Sequence, residues 1–394
     1  MASALPAAEP LPMDRAPGCP FDPPPELAKL RAEQPVSRML YPDGHVGWLV
    51  TSHELVRAVL ADPRFSARSE LRHFPLPGPS ASGPALKAPP GIFTAMDPPE
   101  HTRYRHPLVG QFTVRRMRQL TPRIQQIAAD HLDVMEKHGP SMDLMPAYAM
   151  PIPALAICEL LGVPYEDRDQ FTARAGDMMS LKVTREQRIA GFTSVQQYLT
   201  KLVAAKRAEP TDDLLSGLTT TDLTDEELIN VGAVLLGAGH ETTANMISLG
   251  AYVLLKHPDQ RAALKADPEL AVEELLRYLS IIPATIRAAL EDVELGGQPV
   301  KAGDSVTLSV PAANRDPAHF PDPDTLDLGR RAAGHVAFGH GIHQCIGQQL
   351  ARIELHAALP MLFDRFPNLR LAVPEAEIPL KTDMLIYGVH SLPV

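Results

Sequence analysis

Apolar positions along this chain recur mostly at helical spacing, and one stretch dominates. From Thr224 to about Lys256 they cover much of the surface of a single helical pattern, which predicts a helix buried at the centre of the molecule. The run opens with Thr224, Asp225, Glu226 and Glu227, where Thr224 can cap the helix and Glu227 can reach back to it. At ~1.5 Å per residue such a helix would be on the order of 50 Å long, enough to cross the whole protein. Shorter helices are predicted over residues 24–33, over 52–63 with Ser52 as N-cap, through most of 99–208, and over 271–280; a last one starts near Cys345. Alternation of period two is confined to residues 36–51, a hairpin turned at Pro42-Asp43-Gly44, and to 293–310, short strands with glycine turns. A small β region closes the chain. No internal repeat is visible. The pattern is that of a mainly α protein with small β-sheets, class α+β.

Composition narrows the class. Of 394 residues, 45% are hydrophobic and 21% charged, an ordinary globular balance. The 40 prolines cluster near the N-terminus, over 74–91 and over 317–323, and read as stiff, ordered loops between long apolar segments. The proline- and glycine-rich stretch 71–97 is long for a compact protein, and such loops are usually functional. A net charge of −10 argues against general nucleic-acid binding. The first eighteen residues lack the basic start and apolar core of a secretory signal. They read as a flexible tail, with 19–394 as a single domain. No apolar run approaches the ~18 residues of a membrane span. The expectation is a cytoplasmic monomer with neither membrane nor nucleic acid as partner.

The densest chemistry lies in one loop, where His335, His340, His343 and Cys345 fall within eleven residues. Four nitrogen and sulfur donors would suit zinc, but zinc ligands normally come as two groups on separate elements, and here all crowd one loop. A buried structural cysteine between glycine turns is the default for an isolated cysteine. A haem ligand explains more residues. Gly339 and Gly341 permit positive φ. Cys345 lies at a helix start, whose free N–H groups and dipole favour a thiolate. Gly347 removes a side chain where a flat group must come close, Phe338 can cover the sulfur, and His343 can pair an anion.

The pattern Phe338-x-x-Gly341-x-His343-x-Cys345-x-Gly347 resembles, at every defined position, the haem-binding loop of the cytochrome P-450 superfamily. That resemblance implies the P-450 fold, with haem b (iron protoporphyrin IX) between the long central helix and the cysteine loop. It makes Cys345 the iron ligand and Phe338, Gly339, His343, Gly347 and Ala238 haem contacts.

Other motifs gain meaning from this match. Gly239, Glu241, Thr242 and Thr243 are poor choices for a buried helix centre, and alone would suggest a surface turn. Their flanks are too apolar for a solvated face, and a buried polar group needs a reason. Glu241 and Thr242 resemble the family's acid–alcohol pair, with the threonine opening a local kink beside Gly239. Glu274-x-x-Arg277 alone would be an ordinary helix pair, like Glu100-x-x-Arg103. Its place in the chain matches the family's structural triad, completed by Arg330. His101 and Arg105 share one helix face, which alone reads equally well as a basic solvated surface. The resemblance makes them donors to one haem propionate, and Arg287 with His343 donors to the other.

The implied activity is monooxygenation. One oxygen atom enters the substrate and the other leaves as water, with Thr242 holding oxygen or water and Glu241 relaying protons. No flavin or nicotinamide fingerprint is present, so electrons must come from NAD(P)H through external partners, an acidic ferredoxin and its reductase. Residues 101–118 hold Arg103, Arg105, Arg115, Arg116 and Arg118 with no acidic residue. They read as a docking patch, joined by Arg352, against the alternative of arginines scattered around helices. The substrate expected is a bulky apolar small molecule such as a macrolide, polyketide or steroid-like metabolite. Its walls would include Val234, Leu235, Ala238, Ala284 and Leu385, with stretches 72–94 and 178–183. A peroxide-driven hydroxylase and a non-catalytic haem carrier or sensor are the alternatives, and the Glu241–Thr242 pair argues against both.

Overall fold

The computed structural model describes residues 8–15, 18–78, 86–168 and 184–394. Its helices are α1 (Pro25–Glu33), α2 (His53–Ala61), α3 (Glu100–Val109), α4 (Val114–His138), α5 (Pro151–Leu161) and α6 (Arg185–Ala208). They continue with α7 (Leu214–Thr219), α8 (Asp225–Lys256), α9 (Arg261–Ala266), α10 (Pro268–Leu279), α11 (Val310–Asn314) and α12 (Gln348–Arg365). The strands are β1 (Val36–Leu40), β2 (Val46–Val50), β3 (Phe65–Ser66), β4 (Ala284–Ala289), β5 (Val293–Leu295), β6 (Gln298–Val300) and β7 (Ser305–Ser309).

The dominant apolar run forms α8, the axis of the molecule. Thr224 caps it and Glu227 accepts from the Thr224 N–H at 2.8 Å, closing the capping box read from sequence. Glu227 also takes Arg103 and Tyr104 of α3, at 2.6 and 2.8 Å, which ties α3 to the start of α8. Burial would raise the Glu227 carboxyl, but the hydrogen bonds from Arg103 and its other donors hold it down at about 2. Helices α5, α6 and α12 pack around α8. Their interface is the main core, built on residues such as Ile157, Leu199, Leu236, Ile247 and Leu359.

The sheet runs in the order β1-β2-β7-β4-β3, with β2 and β7 parallel and the other pairs antiparallel. Strands β5 and β6 form a separate hairpin. The loop read as long and functional is anchored at both ends: His73 donates from its backbone to Ser305 Oγ at 2.8 Å, and Phe93 is buried.

Three expectations shift. The N-terminal segment is packed where it is described, since Leu40 N–H bonds the Glu9 carbonyl and Leu11 enters the core beside Tyr41. The last helix starts at Gln348, three residues beyond Cys345, because Cys345 N–H is spent on the Phe338 carbonyl at 2.8 Å and Gly347 is the N-cap. The closing β region amounts to isolated bridges, Leu380 with Val389 and Asp143 with Pro393. Among the described residues no helix is long and apolar enough to cross a membrane.

Candidate active site

Helix α8 is buried along almost its whole middle, with one exception. Val234, Ala238, Gly239 and Thr242 keep accessible surface, at i, i+4, i+5 and i+8, so one narrow face of a central helix borders an internal cleft. Leu235 does not share it. One residue on, it is turned about 100° around the helix and lies in the core. Thr242 Oγ1 donates to the Ala238 carbonyl at 2.7 Å. That is the bond expected beside Gly239, and the helix runs unbroken from Asp225 to Lys256. Glu241 is buried, and its Oε2 accepts from Lys381 Nζ at 2.9 Å and Asn245 Nδ2 at 3.1 Å.

Cys345 keeps accessible surface within the cysteine loop, although its sulfur is largely desolvated. Gly341 has a φ of +72° and sits against Leu60, whose carbonyl oxygen would lie 2.4 Å from any Cβ there, so glycine is required twice over. Gly339 is likewise at +69°. A Cβ on Gly347 would meet nothing nearer than Cys345 Sγ at 4.0 Å, which leaves room beside the sulfur for a flat group. Burial pushes the Cys345 thiol up, opposed by the Gly347 N–H and the charges of Arg105 and Arg352. A metal ion on the sulfur would reverse the balance, since a coordinating thiol is deprotonated outright.

Around this loop lies a cluster of buried donors. His101 of α3 and His343 face each other at 4.3 Å, and both His101 ring nitrogens and His343 Nε2 lack a partner. Burial lowers His343 to about 3, helped by Arg287, His101, Arg105 and Arg72. Arg287 on β4 is lowered to about 10 by burial and by Arg72. Arg105 donates to the Gln344 carbonyl beside the cysteine. Arg72, at the start of the long loop, has an unpartnered Nε. The nearby acid, Asp97, is engaged by Ser66 Oγ and the Ala67 N–H. Two imidazoles and three guanidiniums held so close, with so little to pair them, call for anions. Two carboxylates on a flat macrocycle satisfy that demand, so these residues fit haem. Sequence reasoning missed Arg72, since a lone arginine opening an irregular loop has no periodicity to mark it.

Buried ion pairs brace the site. Glu274 takes Arg277 through both oxygens, at 2.7 and 2.8 Å, with both side chains fully buried, and Arg330 Nε joins at 3.2 Å. Arg277 and Arg330 also hold loop carbonyls, among them Asn314, Pro323, Asp322 and Thr325. A second brace was not foreseen. Glu273 binds Arg352 at 2.6 Å and His335 at 3.2 Å, and Arg352 lies over the Phe338 ring at 4.7 Å.

The histidines of the cysteine loop go to separate partners. His335 pairs with Glu273, His340 stands beside Arg57, and His343 faces His101. Among the described residues no cluster of three or more His, Cys, Asp or Glu can hold a metal ion, so the zinc reading fails. Several arginines of the expected patch have local partners. Arg103 pairs with Glu227 and Asp222, Arg105 points to Gln344, Arg116 reaches Gln111 and Asp212, and Arg352 is spent on Glu273. Arg115 and Arg118 remain exposed. Of the expected substrate walls, Ala284 and Leu385 are partly accessible, while 178–183 lies outside the described residues.

A buried axial helix open on one face, together with a glycine-turned cysteine loop set among arginine and histidine donors that meet no carboxylate among the described residues, fits a haem-thiolate enzyme. Residues 268–384 match the family model described as Cytochrome P450. Cytochrome P450 105C1 of a Streptomyces species is 51% identical over 380 residues, 95% of each chain. Pentalenic acid synthase of Streptomyces avermitilis is 44% identical over 97% of this chain and 96% of its own. The crystal structure of CYP105P1 in complex with filipin I superposes with a TM-score of 0.92, covering 98% of each chain at 44% identity. The chain belongs to the cytochrome P450 family. It is a monooxygenase, and its family implies a haem-iron cofactor.

Proposed function

We propose that the chain, as one catalytic domain over residues 19–394, hydroxylates or epoxidises a bulky apolar small molecule of the macrolide, polyketide or steroid-like class. Electrons come from NAD(P)H through an acidic ferredoxin and its reductase. The observation that carries this reading is the cluster of donors around Cys345 that meet no carboxylate among the described residues: His101, His343, Arg105, Arg287 and Arg72, with His101 Nδ1 and Nε2, His343 Nε2 and Arg72 Nε unpartnered there. His101 with Arg105, and Arg287 with His343, hold the two haem carboxylates, and Cys345 holds the iron. Bound haem supplies the oxygen-activating chemistry, with the thiolate pushing electron density toward the metal.

The protein does the rest. Gly347 and the accessible α8 face at Ala238 leave space for the macrocycle. Thr242, with its hydroxyl on the Ala238 carbonyl, holds a water or the reacting oxygen in place, and Glu241 supplies protons. Val234, Ala238, Ala284 and Leu385 offer apolar contact and exclude bulk water. The filipin complex of a relative that shares this fold supports a large ligand. Arg115 and Arg118, exposed and without an ion pair among the described residues, are the cations offered to an acidic partner.

The test is an absorbance titration of the haem-loaded protein with bulky neutral metabolites, followed by turnover. A low- to high-spin shift, and product with ferredoxin, reductase and NAD(P)H, support the reading. Product with peroxide alone would favour the peroxide-driven enzyme, and binding without any product a carrier or sensor.

A further inference from the structure

Glu273 and Glu274 are neighbours on α10, yet they turn to different partners. Glu274 takes Arg277 and Arg330, while Glu273 reaches α12 and the cysteine loop. There both its oxygens accept from Arg352, at 2.6 and 3.1 Å, and His335 adds a third donor at 3.2 Å. His335 Nδ1 accepts the Ala337 N–H at 3.2 Å, so the ring proton sits on Nε2 and faces Glu273. Burial would raise the Glu273 carboxyl, but the hydrogen bonds from His335 and Arg352 hold it down at about 2, so it is ionised at neutral pH.

Arg352 is also aimed. Its guanidinium lies over the Phe338 ring at 4.7 Å, within cation–π range. The Phe338 carbonyl in turn accepts the Cys345 N–H at 2.8 Å. A bond to Gln348 Oε1 at 3.0 Å keeps the guanidinium beside the first turn of α12. A bidentate carboxylate, an aromatic face and a side chain only 18% exposed make this a charge fixed in place. Of the ion pair, Arg352 is the member whose charge acts on the Cys345 sulfur.

We propose that Arg352 and Glu273 are positioning residues that set the reduction potential at Cys345: a fixed cation on the Phe338 face draws electron density from the sulfur and favours the reduced state, and Glu273 limits that pull. The inference rests on Cys345 holding the haem iron and adds what tunes it. No bond forms or breaks, and the single electron is the one the redox partner delivers. Arg352 thereby acts from inside the protein, through its aromatic neighbour, and not as a contact for the partner.

The test is a spectroelectrochemical titration of the haem-loaded full chain, with the C–O stretching frequency of its reduced carbon monoxide complex as a second readout. Arg352→Met should lower the equilibrium constant for one-electron reduction roughly ten-fold, about 59 mV. The C–O frequency should fall with it, because the sulfur donates more. Arg352→Lys, which keeps the charge, should recover most of the loss. Glu273→Gln, whose amide oxygen still accepts from Arg352, should move both readouts the other way and by less. A loosened loop would shift both variants in one direction, so shifts of the same sign overturn the proposal. An Arg352→Met potential equal to that of wild type, with the thiolate band intact, overturns it as well. Should Arg352→Met not retain haem, Glu273→Gln decides, and a potential unchanged or lowered there overturns it equally. A wild type with an imidazole-type carbon monoxide band defeats the Cys345 reading and this inference with it. A thiolate-type band with unmoved potentials in the variants defeats this inference alone.

Discussion

His101 of α3 and His343 of the cysteine loop stand ring to ring at 4.3 Å, tilted 54°, with three ring nitrogens between them unpartnered among the described residues. Two buried imidazoles so placed are donors awaiting an acceptor. A hydrogen bond to a charged group contributes about 1.5–3 kcal/mol. His101→Phe should therefore speed haem loss about ten- to a hundred-fold, read as haem transfer to excess apoglobin. An unchanged rate would remove His101 from the cradle.

Glu274 and Arg277 define the second prediction. Both are fully buried and doubly hydrogen-bonded, so removing one partner strands a charge. Glu274→Ala should cost about 3–5 kcal/mol and yield mostly haem-free, aggregating protein. Thermal melts and the haem-to-protein absorbance ratio check this.

Thr242→Ala keeps the fold, since the hydroxyl bonds only the Ala238 carbonyl of its own helix. Haem content should be unchanged, while most NAD(P)H should be lost as hydrogen peroxide. Equal product per NAD(P)H in wild type and variant would take Thr242 out of the reaction.

Glu354 on α12 gives a pH signature. Burial raises its carboxyl from 4.5 to about 8, against a hydrogen bond from Thr243, and its Oε1 has no partner. In the unfolded chain it ionises above 4.5; in the folded protein it stays neutral until about 8. The contribution is fully present below 4.5 and is lost as pH rises to about 8, on the order of a kcal/mol per pH unit. Glu354→Gln should flatten the fall in melting temperature between those limits. Parallel curves for wild type and variant would contradict the assignment.

Much of this molecule was legible from its sequence where chemistry is local. The capping box of α8, the hairpin at Gly44 and the paired Glu274–Arg277 each lie within one element, and short-range geometry fixes them. Lys381 on Glu241, Arg72 beside Arg287, and Glu273 with His335 and Arg352 were not legible, because each joins segments far apart in the chain and no spacing encodes it. The partners of the arginine run over 103–118 were hidden for the same reason: nothing in a linear charge pattern joins Arg103 to Glu227 or Arg116 to Asp212.

Whether Cys345 holds the iron is read most directly from the absorption spectrum of the reduced, carbon-monoxide-bound protein, for wild type and for Cys345→His. Wild type should show a thiolate-type band that moves to the imidazole position in the variant. An imidazole-type band in wild type, or a band that Cys345→His leaves in place, would contradict this assignment.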